Sequence, residues 1–151
     1  VLSPANVNEV VGSSVMYFRT RIPRNVTLSY NGLAIAPVQA MINGALFEWV
    51  VENLLKNSLD ALQGQGEIDV RISDDLEWVY IDVKDTGKGL PKSNFKRIFE
   101  PGFTTKTRGW GLGLSLSRRI IEEYHKGRIY VVDSEPGRGT TIRIALKRLY
   151  A

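Results

Sequence analysis

Two glycine-rich stretches decide the fold of this chain: DVKDTGKGLP, from Asp82 to Pro91, and GWGLGLSLS, from Gly109 to Ser117. Glycine lets a backbone take positive φ values or approach a ligand closely, so both turns are typical of a binding surface. The segment between them, FKRIFEPGFTTKTR, is polar, threonine-rich and basic, and a long connection of this kind is typical of a lid. We therefore expect a binding site made of two loops and a cover.

The second glycine turn leads directly into a helical pattern. Apolar side chains recur at threes and fours at Leu112, Leu116, Ile120, Ile121 and Tyr124. A glycine turn that opens a helix presents unpaired backbone N–H groups, and these suit a phosphate. No Walker GxxxxGK[ST] run is present, and the second turn follows a polar lid where a Rossmann fingerprint would follow a strand.

Composition limits the possible classes of protein. The 151 residues are 43% hydrophobic and 24% charged, which fits one compact domain, residues 1–151. The chain has no cysteine, which excludes disulfides and cysteine-based zinc sites. No apolar run approaches the roughly 20 residues that cross a bilayer and no signal peptide precedes the first predicted helix, so we expect a soluble piece of a longer protein. The net charge of +4 is spread along the chain, which disfavours nucleic-acid binding.

The order of elements predicts an α+β fold. Ser3-Pro4 predicts a helix start, and that helix ends before Pro23. Asn31-Gly32 predicts a hairpin turn between strands. The complete prediction is a helix to about residue 22, hairpin strands 26–30 and 33–40, a helix 45–62, strands 67–73 and 78–85, a helical piece 93–99, a helix 112–125, and a second hairpin formed by 128–134 and 141–149. These elements form a two-layer sandwich with a mixed, mostly antiparallel sheet of about five strands covered on one side by three helices.

The long central helix, residues 45–62, contains polar residues within its otherwise apolar sequence. Asn53 and Asn57 are four residues apart, so they share a face, and Asp60 lies close to it. The two amides either bond neighbouring backbone, or Asn57 supplies its carbonyl oxygen to a nucleotide-bound Mg²⁺. Lys56 either reaches a phosphate or is solvated.

Five motifs in order resemble one family. They are NLLKNSLDA (53–61), DTGKG (85–89), FEPGFTTK (99–106), GLGLSLS (111–117) and GRGTTIRI (137–144). They resemble the asparagine, first glycine, phenylalanine, second glycine and final boxes of the catalytic, ATP-binding domain of sensor histidine kinases. This domain has the Bergerat fold of the GHKL superfamily, which also contains gyrase, and its short lid here is similar to that of nitrogen-regulation kinases. The sequence departs from the usual pattern at Gly102 and Trp110.

The resemblance implies a role for each matching residue. Asp85 accepts the adenine amino group, Gly87 and Gly89 let the backbone pass the base, and Thr140 completes the pocket. Asn57 is the Mg²⁺ ligand, and Asn53 is a second polar contact near the phosphates. Lys106, with Asn53 and Asn57, is assigned to catalysis. The remaining residues that the resemblance assigns to ATP are Lys56, Leu90, Phe99, Thr104, Thr105, Arg108, Gly111, Leu112, Gly113 and Leu114, and the lid spans 100–110.

The resemblance also implies a reaction and its partners. Transfer of the γ-phosphate goes to a histidine on a separate dimerisation domain of the same protein, and a response regulator acts downstream. Hydrolysing relatives carry a glutamate general base where this chain has Asn53, so efficient hydrolysis is disfavoured. His125 lies at a helix end and is interpreted as structural. The domain is expected to be a cytoplasmic monomer from a homodimeric parent, membrane-anchored or not.

Two other functions remain open from the sequence. The first is an ATP-responsive module that closes on nucleotide and docks a partner without transferring phosphate. The second is a protein-serine kinase on the same fold. The acid and alkali stability of a phosphorylated product distinguishes all three.

Overall fold

The structure is a computed structural model, and it describes residues 1–32, 37–103 and 113–149. Three helices and seven strands form its framework. The strands are β1 (Ser3–Asn6), β2 (Val26–Asn31), β3 (Gln39–Ile42), β4 (Gly66–Asp74), β5 (Trp78–Asp85), β6 (Arg128–Glu135) and β7 (Gly139–Lys147). The helices are α1 (Val7–Arg19), α2 (Gly44–Leu62) and α3 (Gly113–Arg119), which continues as a π-helical turn over Ile120–Tyr124. Two 3₁₀ turns, Lys92–Asn94 and Arg97–Phe99, follow β5.

The main sheet has five strands in the order β2-β4-β5-β7-β6. The β2–β4 pair is parallel and the other three pairs are antiparallel. Alternate residues of β5, such as Val79, Ile81 and Val83, are buried on one face, while the intervening residues are at least partly exposed. The apolar faces of α1 and α2 complete a single hydrophobic core with the buried face. The predicted two-layer α+β sandwich is therefore confirmed.

The predicted hairpin of strands 26–30 and 33–40 is wrong. Strand β2 pairs with β4, whereas β3 pairs with β1 in a separate two-stranded sheet. A parallel pair requires a crossover connection, and α2 lies in the chain between β2 and β4. The local Asn31-Gly32 turn signal was outweighed by pairing with a strand more than thirty residues away. Residues 33–36 of the predicted second strand lie outside the described residues.

The predicted start of the first helix at Ser3-Pro4 is also wrong. Ser3 and Pro4 belong to β1, and α1 begins at Val7 after Asn6. The side chain of Asn6 accepts a hydrogen bond from the N–H of Glu9 at 3.2 Å, which caps the helix. The Asn6 cap thus replaces the one expected at Ser3, because the preceding residues pair with β3.

The central helix α2 agrees with its prediction within one residue at its start. Asn43 caps it by accepting the N–H of Leu46, and Gln63 ends it in the left-handed conformation with φ 56°. Its buried side chains face the sheet, and they include Phe47, Val50 and Leu54. Within the described ranges, no helix has the length and apolar character needed to cross a membrane.

Candidate functional site

The site begins at Asp85, the last residue of β5. Its side chain faces the helix layer and only 5% of its surface is exposed. The carboxylate accepts the N–H of Gly87 at 2.9 Å, and the Ser58 hydroxyl and the backbone N–H of Thr140 also stabilise its charged form. Burial raises the pKa of Asp85 above its ordinary value, and these three donors partly offset that effect.

The loop after Asp85 is held between the end of α2 and the β6–β7 hairpin. The N–H of Lys88 donates to the carbonyl of Ala61 at 3.2 Å, and the Lys88 carbonyl accepts the N–H of Gly137 at 2.7 Å. Gly89 has φ +73°, and a Cβ at this position would collide with the Glu135 carbonyl. A Cβ at Gly87 would lie 2.6 Å from the Ala61 carbonyl oxygen. Both predicted glycines are therefore needed for the loop to approach its neighbours this closely.

A row of polar side chains crosses three neighbouring strands at this end of the sheet. Asp85 on β5 is opposite Thr140 on β7, and Thr140 is opposite Ser134 on β6. The Ser134 Oγ lies 2.8 Å from the Thr140 Oγ1, 2.8 Å from the Gly139 carbonyl oxygen and 2.8 Å from the Leu90 nitrogen. Because all three side chains are buried, the row forms a wall of fixed hydrogen-bonding groups.

The polar face of α2 connects this site to α3. The Asn53 Nδ2 donates to the Ser117 Oγ at 3.0 Å, and that hydroxyl donates to the Gly113 carbonyl at 2.9 Å. The Asn57 Nδ2 donates to the Asn53 carbonyl at 3.0 Å. The predicted bonding of an asparagine amide to neighbouring backbone is therefore present at Asn57, and the Asn53 amide contacts α3 through Ser117, while the role of Asn57 as a Mg²⁺ ligand stays a prediction.

The other predicted site residues have different surroundings. Lys56 is exposed on α2, whereas Phe99 is buried in the second 3₁₀ turn. Leu90 and Leu114 are partly buried against the core. The residues that lie outside the described ranges are Thr104, Thr105, Lys106, Arg108, Trp110, Gly111 and Leu112, together with most of the predicted lid.

Asn57 is the residue that the sequence predicts to bind Mg²⁺. Its amide nitrogen is bound to the Asn53 carbonyl, which directs the amide oxygen to the other side of the group. Among the described residues, no cluster of three or more His, Cys, Asp or Glu side chains could hold a metal ion. Because Mg²⁺ at a nucleotide keeps mostly phosphate and water ligands, its binding by Asn57 stays a prediction.

His125 has a structural environment, as the sequence predicted. Its Nδ1 lies 2.9 Å from the Ile120 carbonyl oxygen, and its Nε2 lies 3.1 Å from the backbone nitrogen of Asn43. The carbonyl can only accept and the N–H can only donate, so the ring is neutral with its proton on Nδ1. Both ring nitrogens are therefore engaged and the side chain is only 6% exposed.

Sequence reasoning missed three residues of the site: Ser58, Ala61 and Ser134. Ser58 bonds Asp85, the Ala61 carbonyl holds the glycine loop, and Ser134 joins three backbone or hydroxyl groups. A buried serine on the apolar face of α2 was a usable signal, because an unpaired hydroxyl is costly there. The role of Ala61 depends on its main chain alone, so its side chain gives no signal.

This sheet order, the buried carboxylate at the glycine loop and the amides on the covering helix define a nucleotide-binding domain of the histidine kinase type. The sequence matches the family described as "Histidine kinase-, DNA gyrase B-, and HSP90-like ATPase" over residues 43–149. The chain belongs to this family, and within it the chain is a histidine kinase domain.

The similar proteins are sensor kinases. Sporulation kinase A of Bacillus subtilis is 42% identical over 64% of this chain and 16% of its own length. Nitrogen regulation protein NtrY of Azorhizobium caulinodans is 33% identical over 97% of this chain and 20% of its own length. The catalytic domain of histidine kinase ThkA has a TM-score of 0.86 at 27% identity, covering 97% of this chain and 95% of that domain. ThkA in complex with response regulator protein TrrA has a TM-score of 0.83 at 25% identity, covering 98% of this chain and 42% of the ThkA chain. The chain therefore spans a fifth or less of these two sequence relatives.

Proposed function

We propose that this domain binds Mg-ATP and transfers the γ-phosphate to a histidine on a separate dimerisation domain of the same protein. The observation that carries this proposal is the carboxylate of Asp85, which is 5% exposed at the end of a strand beside a glycine loop. Burying a carboxylate is costly, and a ligand that needs a hydrogen-bond acceptor at this position accounts for its presence.

The adenine end of the site consists of Asp85, Thr140 and the glycine loop. A carboxylate can only accept hydrogen bonds, so it fits an exocyclic amino group and repels a carbonyl. The loop from β5 to Leu90 contains Gly87 and Gly89, and neither residue places a side chain beside the backbone. By resemblance, Leu90 and Phe99 supply apolar surface for the base.

The phosphate end lies toward the amides of α2. Gly113 is close to Asn53, since a Cβ at Gly113 would lie 2.8 Å from the Asn53 Oδ1. Leu114 follows on α3, and by resemblance Lys56, an exposed cation on α2, contributes to the phosphate site. By resemblance, the rest of the phosphate site is formed by Gly111 and Leu112 and by the lid residues Thr104, Thr105, Lys106 and Arg108.

Asn57 is the proposed protein ligand of Mg²⁺. When bound, the ion neutralises developing charge on the phosphate oxygens of the nucleotide. The Asn57 Nδ2 donates to the Asn53 carbonyl, which holds the amide group in a fixed orientation on α2. Asn53 in turn is positioned by Ser117.

The chemistry favours transfer over hydrolysis. Asn53 cannot accept a proton from water, so the helix offers no general base at the position used by hydrolysing relatives. An imidazole nucleophile on another domain needs no such base. His125 is excluded as that nucleophile because both of its nitrogens are hydrogen-bonded inside the domain.

The partners and the location are proposed by resemblance to the family. We propose that residues 1–151 are one catalytic domain, monomeric by itself, of a homodimeric cytoplasmic or membrane-anchored parent. ThkA forms a complex with a response regulator, and a response regulator is the proposed phosphate acceptor downstream of this kinase too.

Phosphotransfer to a separately produced dimerisation domain tests the function. With γ-labelled ATP, we expect label that is acid-labile and alkali-stable, as phosphohistidine is. Acid-stable label would mean a serine kinase. Absence of label with retained ATP binding would mean a binding module.

The substitution Asp85→Asn tests the adenine contact. The amide presents a donor where the amino group needs an acceptor, so we expect affinity for ATP to fall by about tenfold to a hundredfold. Calorimetry on both proteins measures this change. Asp69→Asn, the same change on β4, is the control, because Asp69 bonds Arg71 and Asn31 away from the site. Unchanged ATP affinity in Asp85→Asn would refute the assignment.

A further inference from the structure

The hydrogen-bond row that ends at Asp85 has a fixed direction. Ser134 has one hydroxyl proton and three neighbours at 2.8 Å: the Gly139 carbonyl oxygen, the Leu90 N–H and the Thr140 hydroxyl. The Gly139 carbonyl has no proton, so the Ser134 proton points to it. The opposite arrangement would leave two oxygens 2.8 Å apart with no proton between them.

The Thr140 hydroxyl is then fixed as well. With its only proton given to Gly139, Ser134 accepts from both the Leu90 N–H and the Thr140 hydroxyl. Since the Thr140 proton is used in this way, its oxygen can only accept from any other group. Thr140 is also the residue opposite Asp85 on the neighbouring strand, so its side chain lies beside the carboxylate in the same row.

A bulge in the edge strand places Ser134 in this row. Val131 pairs with Ile142 and Asp133 pairs with Thr141, so Val132 is an extra residue on β6. Ile129 and Val131 face the core before the bulge, whereas the even-numbered Ser134 faces it afterwards. A bulge beside a binding site that redirects a side chain is a recurrent device.

We propose that Ser134 is a positioning residue that selects 6-amino purines, because it turns the Thr140 hydroxyl into an acceptor beside the Asp85 carboxylate. The proposal rests on the function proposed above. Two acceptors side by side accept the two protons of an amino group and repel a 6-oxo group. Without Ser134, the Thr140 hydroxyl can rotate and donate to a 6-oxo purine.

The test compares ATP with inosine triphosphate, which carries a 6-oxo group in place of the 6-amino group. Calorimetry gives both dissociation constants for the whole chain and for Ser134→Ala. We expect the preference of the wild-type protein for ATP to fall by about tenfold in Ser134→Ala, mainly because inosine triphosphate binds more tightly. Ser134→Thr keeps the hydroxyl and should restore the preference, and Ser29→Ala, an exposed serine on β2, should not change it.

A double-mutant cycle with Thr140→Val separates positioning from packing. If Ser134 acts through the Thr140 hydroxyl, Ser134→Ala changes the preference little once Thr140 is valine. Should Ser134→Ala fail to fold, Ser134→Cys keeps the volume while accepting hydrogen bonds poorly, and the same loss of preference is expected. An unchanged ratio of dissociation constants in the folded Ser134 variant would overturn this inference alone. Absence of ATP binding in the wild-type protein would overturn the proposed function and this inference together.

Discussion

At the scale of single residues, His125 couples stability to pH. The folded state requires the neutral ring, and burial lowers the pKa of His125 below its ordinary value of 6.5. The unfolded chain therefore binds this proton more readily than the folded one. The stabilisation is complete above pH 6.5 and is lost as the pH falls from there through the folded pKa.

We expect His125→Gln to lower the free energy of unfolding by about 1–3 kcal/mol at neutral pH, because two buried partners lose a good contact. The variant should also lose the slope of stability against pH just below pH 6.5. Urea unfolding at several pH values measures both effects. Burial raises the pKa of Asp85 above its ordinary value of 3.8, so the folded state binds this proton more readily than the unfolded chain. Asp85 therefore makes stability fall as the pH rises from 3.8 through its folded pKa, and Asp85→Asn removes this fall. Since His125 is the only histidine, an unchanged slope in His125→Gln would contradict the prediction.

At the scale of elements, Ser117 links α2 to α3. Its buried hydroxyl accepts from Asn53 and donates to the Gly113 carbonyl. Ser117→Ala leaves both groups without this partner, so we expect a loss of about 1–3 kcal/mol in the free energy of unfolding. Chemical denaturation measures it, with the exposed Ser13→Ala on α1 as control. The loss in Asn53→Ala combined with Ser117→Ala should be less than the sum, and additive losses would show that the two side chains are not coupled.

Local sequence patterns predicted the helices and strands themselves better than they predicted which strands pair in the sheets. The apolar period of α2 and the alternation of β4, β5 and β7 are written in contiguous residues, and these elements were predicted closely. The parallel β2–β4 pair and the small β1–β3 sheet depend on partners far along the chain. A turn signal such as Asn31-Gly32 cannot reveal which strand its neighbour will join.

At the scale of the whole molecule, the site joins residues from four separate parts of the chain. The family resemblance implied roles for Asp85 and Thr140, and the structure makes them opposite partners on β5 and β7. Ser58 and Ser134 were not predicted, because their importance comes from the partners that the fold supplies. A serine indicates a site only when its burial and its hydrogen-bond partners are known.

Ligand binding should stabilise the whole domain through the same site. A ligand at a hundredfold excess over its dissociation constant adds about 2.7 kcal/mol to the free energy of unfolding. For a domain of this size, we expect ATP with Mg²⁺ to raise the melting temperature by about 5–10 °C. Thermal unfolding with and without a chelator measures the part that depends on the metal.

The proposed role of Asn57 predicts that the metal-dependent part of the stabilisation needs its side chain. If its amide oxygen is the protein ligand of Mg²⁺, Asn57→Ala should keep ATP-induced stabilisation but lose most of the difference between Mg²⁺ and chelator. Its side-chain bond to the Asn53 carbonyl also disappears, so the melting temperature without nucleotide is the baseline for each variant. Asn25→Ala, at an exposed asparagine before β2, is the matched control and should keep the full Mg²⁺ effect. If Asn57→Ala keeps the wild-type Mg²⁺ effect, the protein ligand of the metal is another residue. If ATP stabilises the wild-type domain equally in chelator, the domain binds the nucleotide without the metal.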